Sequence, residues 1–372
     1  MRKKTVAVVG AGFSGAVIAY RLARAGYLVD VYEVRAHVGG NCHTERDPHT
    51  GVLHHVYGPH IFNTNDEAVW EFVNKFDEFT PTTLRTKAIA GGAVYSFPIN
   101  LLTMNQFFHA TFSPQQAREF IDHVRVKSIV EPHSFEEQAL ASVGRELYEA
   151  FFKWYTIKQW GLHPSLLPAS TFKRIPIRFN YDDNRYDSQF QGIPVHGYTY
   201  IIDKLLDHAG IKVHLQTPFD SGWPGGYRHI FYSGPIDAWF GWREGRLKYR
   251  TLDFTREIHR GDYQGCAVMT YCDATVPWTR ITEHKHFAPH ETHEQTLVVK
   301  EFSRLCGPID IPFYPIKSPL EVSLLAKYAA QARALPNVTF VGRLGNYQYI
   351  DMDRTIIEAY NAAYRFIHDR PH

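Results

Sequence analysis

Cysteine is scarce in this chain of 372 residues: Cys42, Cys266, Cys272 and Cys306 are all there is, with no pair spaced C-x-x-C. That speaks against a disulfide framework and for free thiols in a reducing compartment. A surplus of charge of one sign is lacking too. The formal net charge is +2, so there is no global field for nucleic acid or an anionic membrane, and any anionic ligand must be met by local cations. No apolar run is long enough to span a bilayer, and Met-Arg-Lys-Lys-Thr leads straight into a strand pattern without a signal peptide. The expectation is a cytoplasmic protein that engages neither membrane nor nucleic acid. Repeats and low-complexity stretches are missing as well. What remains, 44% hydrophobic and 21% charged, is ordinary for a globular protein and excludes a disordered or fibrous class. Aromatics are plentiful, with 22 Tyr, 25 Phe and 7 Trp, enough to fill a core and suited to a site that stacks planar rings.

The first forty residues carry the clearest motif. A β-branched run, Thr5 to Val9, is followed at once by Gly10-Ala-Gly12-Phe13-Ser14-Gly15, then by a helical pattern from Ala16 to Ala25 closed by Gly26. A second strand, Leu28 to Tyr32, ends at Glu33 and Val34. Strand, G-x-G-x-x-G, helix, strand and acid in this order form a dinucleotide-binding unit. Gly10 permits the tight turn, Gly12 lets a pyrophosphate approach the backbone, and Gly15 lets helix and strand pack closely. The helix N-terminus offers N–H groups and partial positive charge to the diphosphate. Glu33 can accept hydrogen bonds from both ribose hydroxyls. Arg35 and the glycine pair Gly39-Gly40, followed by Asn41, resemble the large class of FAD proteins that includes the amine oxidases. No second G-x-G-x-x-G is present, which argues against a separate nicotinamide domain.

The remaining pattern gives an α/β chain. Residues 64 to 79 read as an amphipathic helix with Val69, Phe72, Val73 and Phe76 on one side. Residues 100 to 162 look mostly helical, with Ser113-Pro114 opening one helix. Residues 170 to 196 are irregular, Tyr198 to His208 is helical, 211 to 233 is β, and 246 to 316 is strand-like with turn breaks. Val338 to Arg343 reads as a last buried strand and Thr355 to His368 as a last helix, with Asp351 near its cap. The expected fold is an FAD-binding Rossmann-like domain with a helical insert and an antiparallel β-sheet insert. Its discontinuous dinucleotide domain takes residues 1–80, 197–245 and 317–372. The helical domain is 98–165, and the β-sheet substrate domain is 81–97, 166–196 and 246–316. A cleft belongs where they meet.

Long, mutually ordered segments across nearly the whole chain are similar to the UDP-galactopyranose mutase family. They are Gly58-Pro-His-Ile-Phe62, Ser96-Phe-Pro-Ile-Asn100, Phe151-Phe-Lys-Trp-Tyr-Thr-Ile-Lys-Gln-Trp160, Arg174-Ile-Pro-Ile-Arg-Phe-Asn-Tyr-Asp-Asp-Asn184, Phe190-Gln-Gly-Ile-Pro194, Val276-Pro-Trp-Thr-Arg280 and Gly342-Arg-Leu-Gly-Asn-Tyr-Gln-Tyr-Ile-Asp-Met352. The resemblance implies FAD, active in its reduced form, and a pyranose–furanose interconversion of a nucleotide-diphosphate hexose through a flavin N5–sugar adduct. It also implies an external electron donor and a homodimer. Arg174 and Arg280 match the family's two essential arginines, which would clamp the leaving diphosphate. Tyr314 and Tyr349 match tyrosines that hydrogen-bond the same phosphates. Phe151 and Tyr155, at i and i+4 of a helix, match the base-stacking pair. Phe152, Thr156 and Trp160 share another face, with Trp160 on a mobile loop. His60 and Ile61 match the segment against the isoalloxazine, Arg343, Asp351 and Met352 the border of flavin and hexose, and Arg250 a further arginine near the cleft.

Four positions depart from the bacterial pattern: Leu84 for an asparagine, Asn63 for a histidine, Arg185 for a tyrosine and Thr270 for an asparagine. Leu84 removes a polar partner, Thr270 shortens a hydrogen-bonding side chain, and Arg185 adds a charge that can meet a phosphate; these changes in recognition fit a 6-deoxy sugar such as dTDP-fucopyranose as the alternative substrate. The competing classes are an FAD-dependent amine oxidase-like oxidoreductase and a non-catalytic nucleotide-sugar binder. The histidines at 284, 286, 290 and 293 lack a recognised ligand spacing, so no metal site is expected.

Overall fold

The computed structural model describes residues 5–220, 222 and 226–368. Five short strands form an all-parallel sheet in the order Ile211–His214, Leu28–Tyr32, Thr5–Val9, Ile230–Tyr232, Val338–Phe340. Val6, Ala7 and Val8 in its centre are wholly buried, which is why the segment is apolar without alternation. The helix Phe13–Arg24 leaves the central strand through Gly12 and packs on the last helix, Met352–His368. Gly15 allows the helix to lie close against the strand and its turn, because a Cβ there would be 1.8 Å from the Gly10 carbonyl oxygen. The two chain ends thus meet in one core.

A second sheet of seven strands has the order Tyr314–Pro315, Tyr249–Arg260, Gln295–Leu305, Arg280–Glu283, Val268–Tyr271, Thr86–Ala90, Ala93–Phe97. Its pairs are antiparallel except one. Val268–Tyr271 runs parallel to Thr86–Ala90, which corrects the expectation of an antiparallel sheet. These strands are far apart in sequence, so no hairpin imposes opposite directions. A third, antiparallel sheet has Phe190–Pro194 between Phe62–Thr64 and Phe79–Pro81.

The helical part is capped as its sequence suggests. Asn100, Ser113 and Ser134 each close a capping box, and Pro114 occupies the first turn of its helix. Three features depart from the sequence reading. The expected helix at 64–79 is Glu67–Asn74, bounded by the strands of the three-stranded sheet. Tyr148–Lys153 is a π-helical segment inserted between Phe135–Leu147 and Trp154–Trp160. The last parallel strand stops at Phe340, and Gly342–Gly345 is a helical turn. Among the described residues no helix is long and apolar enough to cross a membrane.

Candidate active site

A cavity of about 1060 Å³ runs from the glycine turn to the edge of the seven-stranded sheet. At its first end Gly10 has φ +97°, and its N–H donates to the Tyr32 carbonyl at 2.7 Å. The buried Glu33 carboxylate accepts from the N–H of Ala11 and of Arg35, both at 2.9 Å. Gly12 and Gly40 face each other, and a Cβ on Gly40 would sit 3.2 Å from the Gly12 Cα. Arg35 donates to Asn41 Oδ1 at 2.8 Å and so fixes the second glycine loop. The helix beginning at Phe13 has neither a side-chain cap nor an acidic residue in its first turn, leaving its N-terminal dipole for an anion. Bare glycine backbone, an uncapped helix start and a buried acid fit a dinucleotide. Ser14 lines this end, and Val34 stands at its rim opposite Thr217, Pro218 and Phe219.

The middle of the cavity is lined by His60, Ile61, Arg343, Asp351 and Met352. The His60 backbone N–H donates to His55 Nδ1 at 2.8 Å, and its own Nδ1 lies 2.7 Å from the Gly58 carbonyl. Nδ1 must therefore carry the proton, and Nε2 keeps a lone pair. Burial, with the Arg343 and Arg280 guanidinium groups nearby, pushes the His60 pKa down to about 4, so the ring is neutral at physiological pH. Arg343 donates to the Ile350 carbonyl at 2.9 Å and lies over the rings of Tyr349 and Tyr314, 4.9 and 5.6 Å from their centroids. The Thr355 N–H bonds the Asp351 carbonyl at 2.9 Å, so the last helix starts at the cavity wall.

At the far end stands Arg280. Its Nε and Nη2 both reach Glu301 Oε2, at 2.8 and 2.7 Å. Glu301 is 2% exposed, whereas the arginine is 23% exposed and lines the cavity. Burial alone would lower the arginine pKa, but the Glu301 carboxylate outweighs it and raises it. The remaining guanidinium nitrogen is thus a permanent cation on a buried counter-charge. Gly58 allows the His60 loop to approach, since a Cβ there would be 3.2 Å from Glu301 Oε2. Phe151, Phe152, Tyr155, Thr156 and Trp160 line the same end. Trp160 and Tyr314 are 6.3 Å apart by ring centroids, and Tyr314 and Tyr349 5.3 Å. Burial raises the Tyr155 hydroxyl to about 12 and the Tyr314 hydroxyl further, so both stay protonated donors. The π-helical segment runs through Phe151, so the simple i, i+4 register assumed for Phe151 and Tyr155 does not apply, although both reach the cavity.

Leu84, Arg185 and Thr270 line the cavity between these ends, as does Asn63. Leu84 is buried in a small apolar cluster with Ile61, Ile193, Val268 and Phe287. Arg174 closes the Ala169–Arg174 turn, and its side chain lies outside the described residues. Arg250 is a correction. It is 5% exposed, does not line the cavity, and donates to the backbone carbonyls of Gln159 at 3.0 Å and Lys158 at 3.1 Å. An inward position on its strand takes it to the end of the helix, not to the cleft. The histidines at 284 to 293 do not converge. His284 is buried beside His54 and His55, whereas His286 pairs with Glu283 and His293 with Glu291.

Glu301 was missed in the sequence. A period-two reading would have found it, because Leu297, Val299 and Glu301 alternate on one buried face of Gln295–Leu305. A carboxylate at such a position needs a cation, and Arg280 is opposite it in register.

The parallel sheet and glycine turn define a Rossmann-type dinucleotide-binding fold, and the far end of the same cavity presents Arg280 with Tyr155 and Tyr314. Residues 8–76 match a NAD(P)-binding Rossmann-like domain, and residues 150–349 match the family model of UDP-galactopyranose mutase. The chain is 55% identical to a probable UDP-galactopyranose mutase of Klebsiella pneumoniae over 99% of its length and 96% of the relative's. It is 48% identical to a dTDP-fucopyranose mutase of Escherichia coli, over 97% and 98%. A crystal structure of reduced UDP-galactopyranose mutase superposes with a TM-score of 0.78 at 16% identity, covering 99% and 96% of the two chains, and shows the shared fold. The chain belongs to the UDP-galactopyranose mutase family, whose members are flavin-dependent isomerases of nucleotide sugars.

Proposed function

We propose that this enzyme interconverts the pyranose and furanose forms of a UDP-galactose-like nucleotide hexose, with the flavin reduced. The observation that carries the reading is the single cavity joining the glycine turn to the Arg280–Glu301 pair, with His60 and Arg343 between them. Reduced flavin, when bound, supplies an electron-rich nitrogen nucleophile at the anomeric carbon. Gly10, Gly12, Phe13, Ser14, Gly15, Glu33, Val34, Gly40 and Asn41 hold its dinucleotide part. Ile61 and Met352 hold its ring system, with neutral His60 Nε2 as an acceptor. The start of the last helix beside Asp351 favours negative charge on the ring.

Arg280, with Arg174, binds the diphosphate and stabilises it as it leaves. Its charge is preorganised by the buried Glu301 carboxylate, and such fixed donors need no reorganisation as the diphosphate departs. Tyr314 and Tyr349 donate to the same phosphates, and Arg343 faces both phosphate and hexose. Phe151 and Tyr155 stack the base, with Phe152, Thr156 and Trp160 around base and ribose. The proposal extends to a three-part division of the chain at the boundaries given above, a homodimer in the cytoplasm, and an external reductant.

A second reading has one observation in its favour. The buried Leu84 cluster makes the sugar-side wall apolar, and Thr270 shortens a polar partner. A dTDP-linked 6-deoxy hexose, lacking the 6-hydroxyl and the ribose 2′-hydroxyl, asks for fewer hydrogen bonds there. The dithionite-reduced enzyme is to be incubated with UDP-galactofuranose and with dTDP-fucofuranose, and the pyranose products separated by chromatography. Much faster conversion of the UDP sugar eliminates the second reading. Faster conversion of the dTDP sugar establishes it.

A further inference from the structure

Outside the cavity, one half-buried cation, Lys158, has an unusual setting. Lys158 Nζ donates to the backbone carbonyl oxygens of Tyr271 at 2.8 Å, Asp273 at 2.9 Å, Val276 at 2.9 Å and Trp278 at 3.1 Å. These four carbonyls belong to residues 271–278, the connection between the strands Val268–Tyr271 and Arg280–Glu283. The connection is partly exposed, yet four of its carbonyls turn inward to one ammonium. With three N–H groups for four acceptors, at least one hydrogen is shared between two oxygens.

We propose that Lys158 is a positioning residue whose caged ammonium locks the helix bearing Tyr155, Thr156 and Trp160 to the hairpin bearing Thr270 and Arg280. This rests on the nucleotide-sugar reading of the cavity. Lys158 does not line the cavity, so it acts through the elements it joins. Its own carbonyl and that of Gln159 are held from the opposite side. Arg250 donates to both, and the Ser303 hydroxyl donates to Gln159 at 2.7 Å. These are the last carbonyls of the helix, which its own hydrogen bonds leave open. Gly161 follows at φ +66°, and a Cβ there would lie 2.3 Å from Arg250 Nη1. The helix end is thus hydrogen-bonded to the strands Tyr249–Arg260 and Gln295–Leu305 through Arg250 and Ser303, and Lys158 adds the hydrogen bonds to residues 271–278, whose Cys272 also packs in one cluster with Phe152 and Trp160.

The consequence is that contacts to the base, made from the helix, and contacts to the diphosphate, made by Arg280, keep a fixed spacing. Loss of the cage lets the two move apart. That weakens ground-state and transition-state binding alike, which raises KM and leaves kcat nearly unchanged. A methionine at 158 keeps the volume of the stem without the charge. An arginine keeps a cation with enough N–H groups for the four carbonyls.

The test uses the FAD-loaded enzyme and its Lys158→Met and Lys158→Arg variants, with steady-state turnover of the nucleotide sugar and amide hydrogen exchange of residues 271–278. Lys158→Met is expected to raise KM about tenfold, with kcat within about twofold of the parent, and to speed exchange in this segment. Lys158→Arg is expected to restore most of both. Unchanged exchange in Lys158→Met, or a loss confined to kcat, overturns the proposal. So does an arginine variant as impaired as the methionine one. If the parent turns over no nucleotide sugar, the functional reading has failed, and the exchange comparison alone decides whether the cage holds the hairpin.

Discussion

Arg280 and Glu301 allow stability and catalysis to be separated in one experiment. Replacing Arg280 by alanine removes the cation that faces the cavity and also strands a carboxylate that is 2% exposed. Breaking a buried pair from one side costs about 3–5 kcal/mol, because the remaining charge has no partner. The arginine is 23% exposed and part of that cost is relieved by water, so a loss near the lower figure is expected for Arg280→Ala. Glu301→Gln keeps the shape and removes the charge. Combined with Arg280→Ala it should recover most of the lost stability, since a neutral amide asks only for hydrogen bonds.

Turnover should behave differently. Loss of one preorganised donor to the departing diphosphate costs about 3 kcal/mol of barrier or more, a hundredfold or greater fall in kcat, and the second substitution cannot restore it. The measurements are chemical denaturation of the flavin-loaded proteins and product formation by chromatography under dithionite. If the double variant regains turnover, or if Arg280→Ala keeps more than about a tenth of the parent rate, the assignment of Arg280 to the diphosphate is wrong.

Further outcomes are expected. Gly12→Ala meets only ordinary contacts, the nearest being Gly40 Cα at 3.7 Å, so the protein should fold but lose its yellow colour as the methyl group occupies the pyrophosphate's place; full flavin content refutes this. Gly15→Ala, whose Cβ would meet the Gly10 carbonyl oxygen at 1.8 Å, should instead lower the melting temperature sharply. Burial holds the pKa values of His54, His55 and His284 below the ordinary histidine value and that of His60 at about 4. The unfolded chain then binds more protons than the folded one, so unfolding free energy should fall as pH drops below about 6.5, the His60 contribution running on to about 4 at no more than about 1.4 kcal/mol per pH unit. A melting temperature flat from pH 7 to 5 contradicts it. Leu84→Asn should shift kcat/KM by about tenfold towards the sugar with the additional hydroxyl, measured with the two furanose substrates in competition.

The parts legible in the sequence are those with a backbone cause. Gly10, Gly12 and Gly15 announce the turn because no other residue tolerates φ +97° at the first and a 1.8 Å approach at the last. Glu33 follows from the end of the second strand. Ser113-Pro114 announces a helix start because both side chains suit that position alone. The parts that were not legible depend on partners distant in the chain. The parallel pairing of Thr86–Ala90 with Val268–Tyr271 leaves no local mark. A π-helical insertion changes the register beyond Phe151 without changing composition. Arg250 was placed near the cleft by resemblance alone, and an arginine on a strand reads the same whether it meets a ligand or a helix end. Its real acceptors, Lys158 and Gln159, are more than ninety residues away. Lys158 was invisible for the same reason, since its four acceptors are backbone atoms of any residue type.

The most direct test of the central claim is to follow one nucleotide sugar, in its furanose form, with the purified protein before and after reduction by dithionite, while recording the flavin spectrum. Conversion to the pyranose form only after reduction, with the flavin still reduced at equilibrium, is the predicted result. A colourless protein, equal conversion without reduction, or one flavin reoxidised per sugar consumed would contradict it.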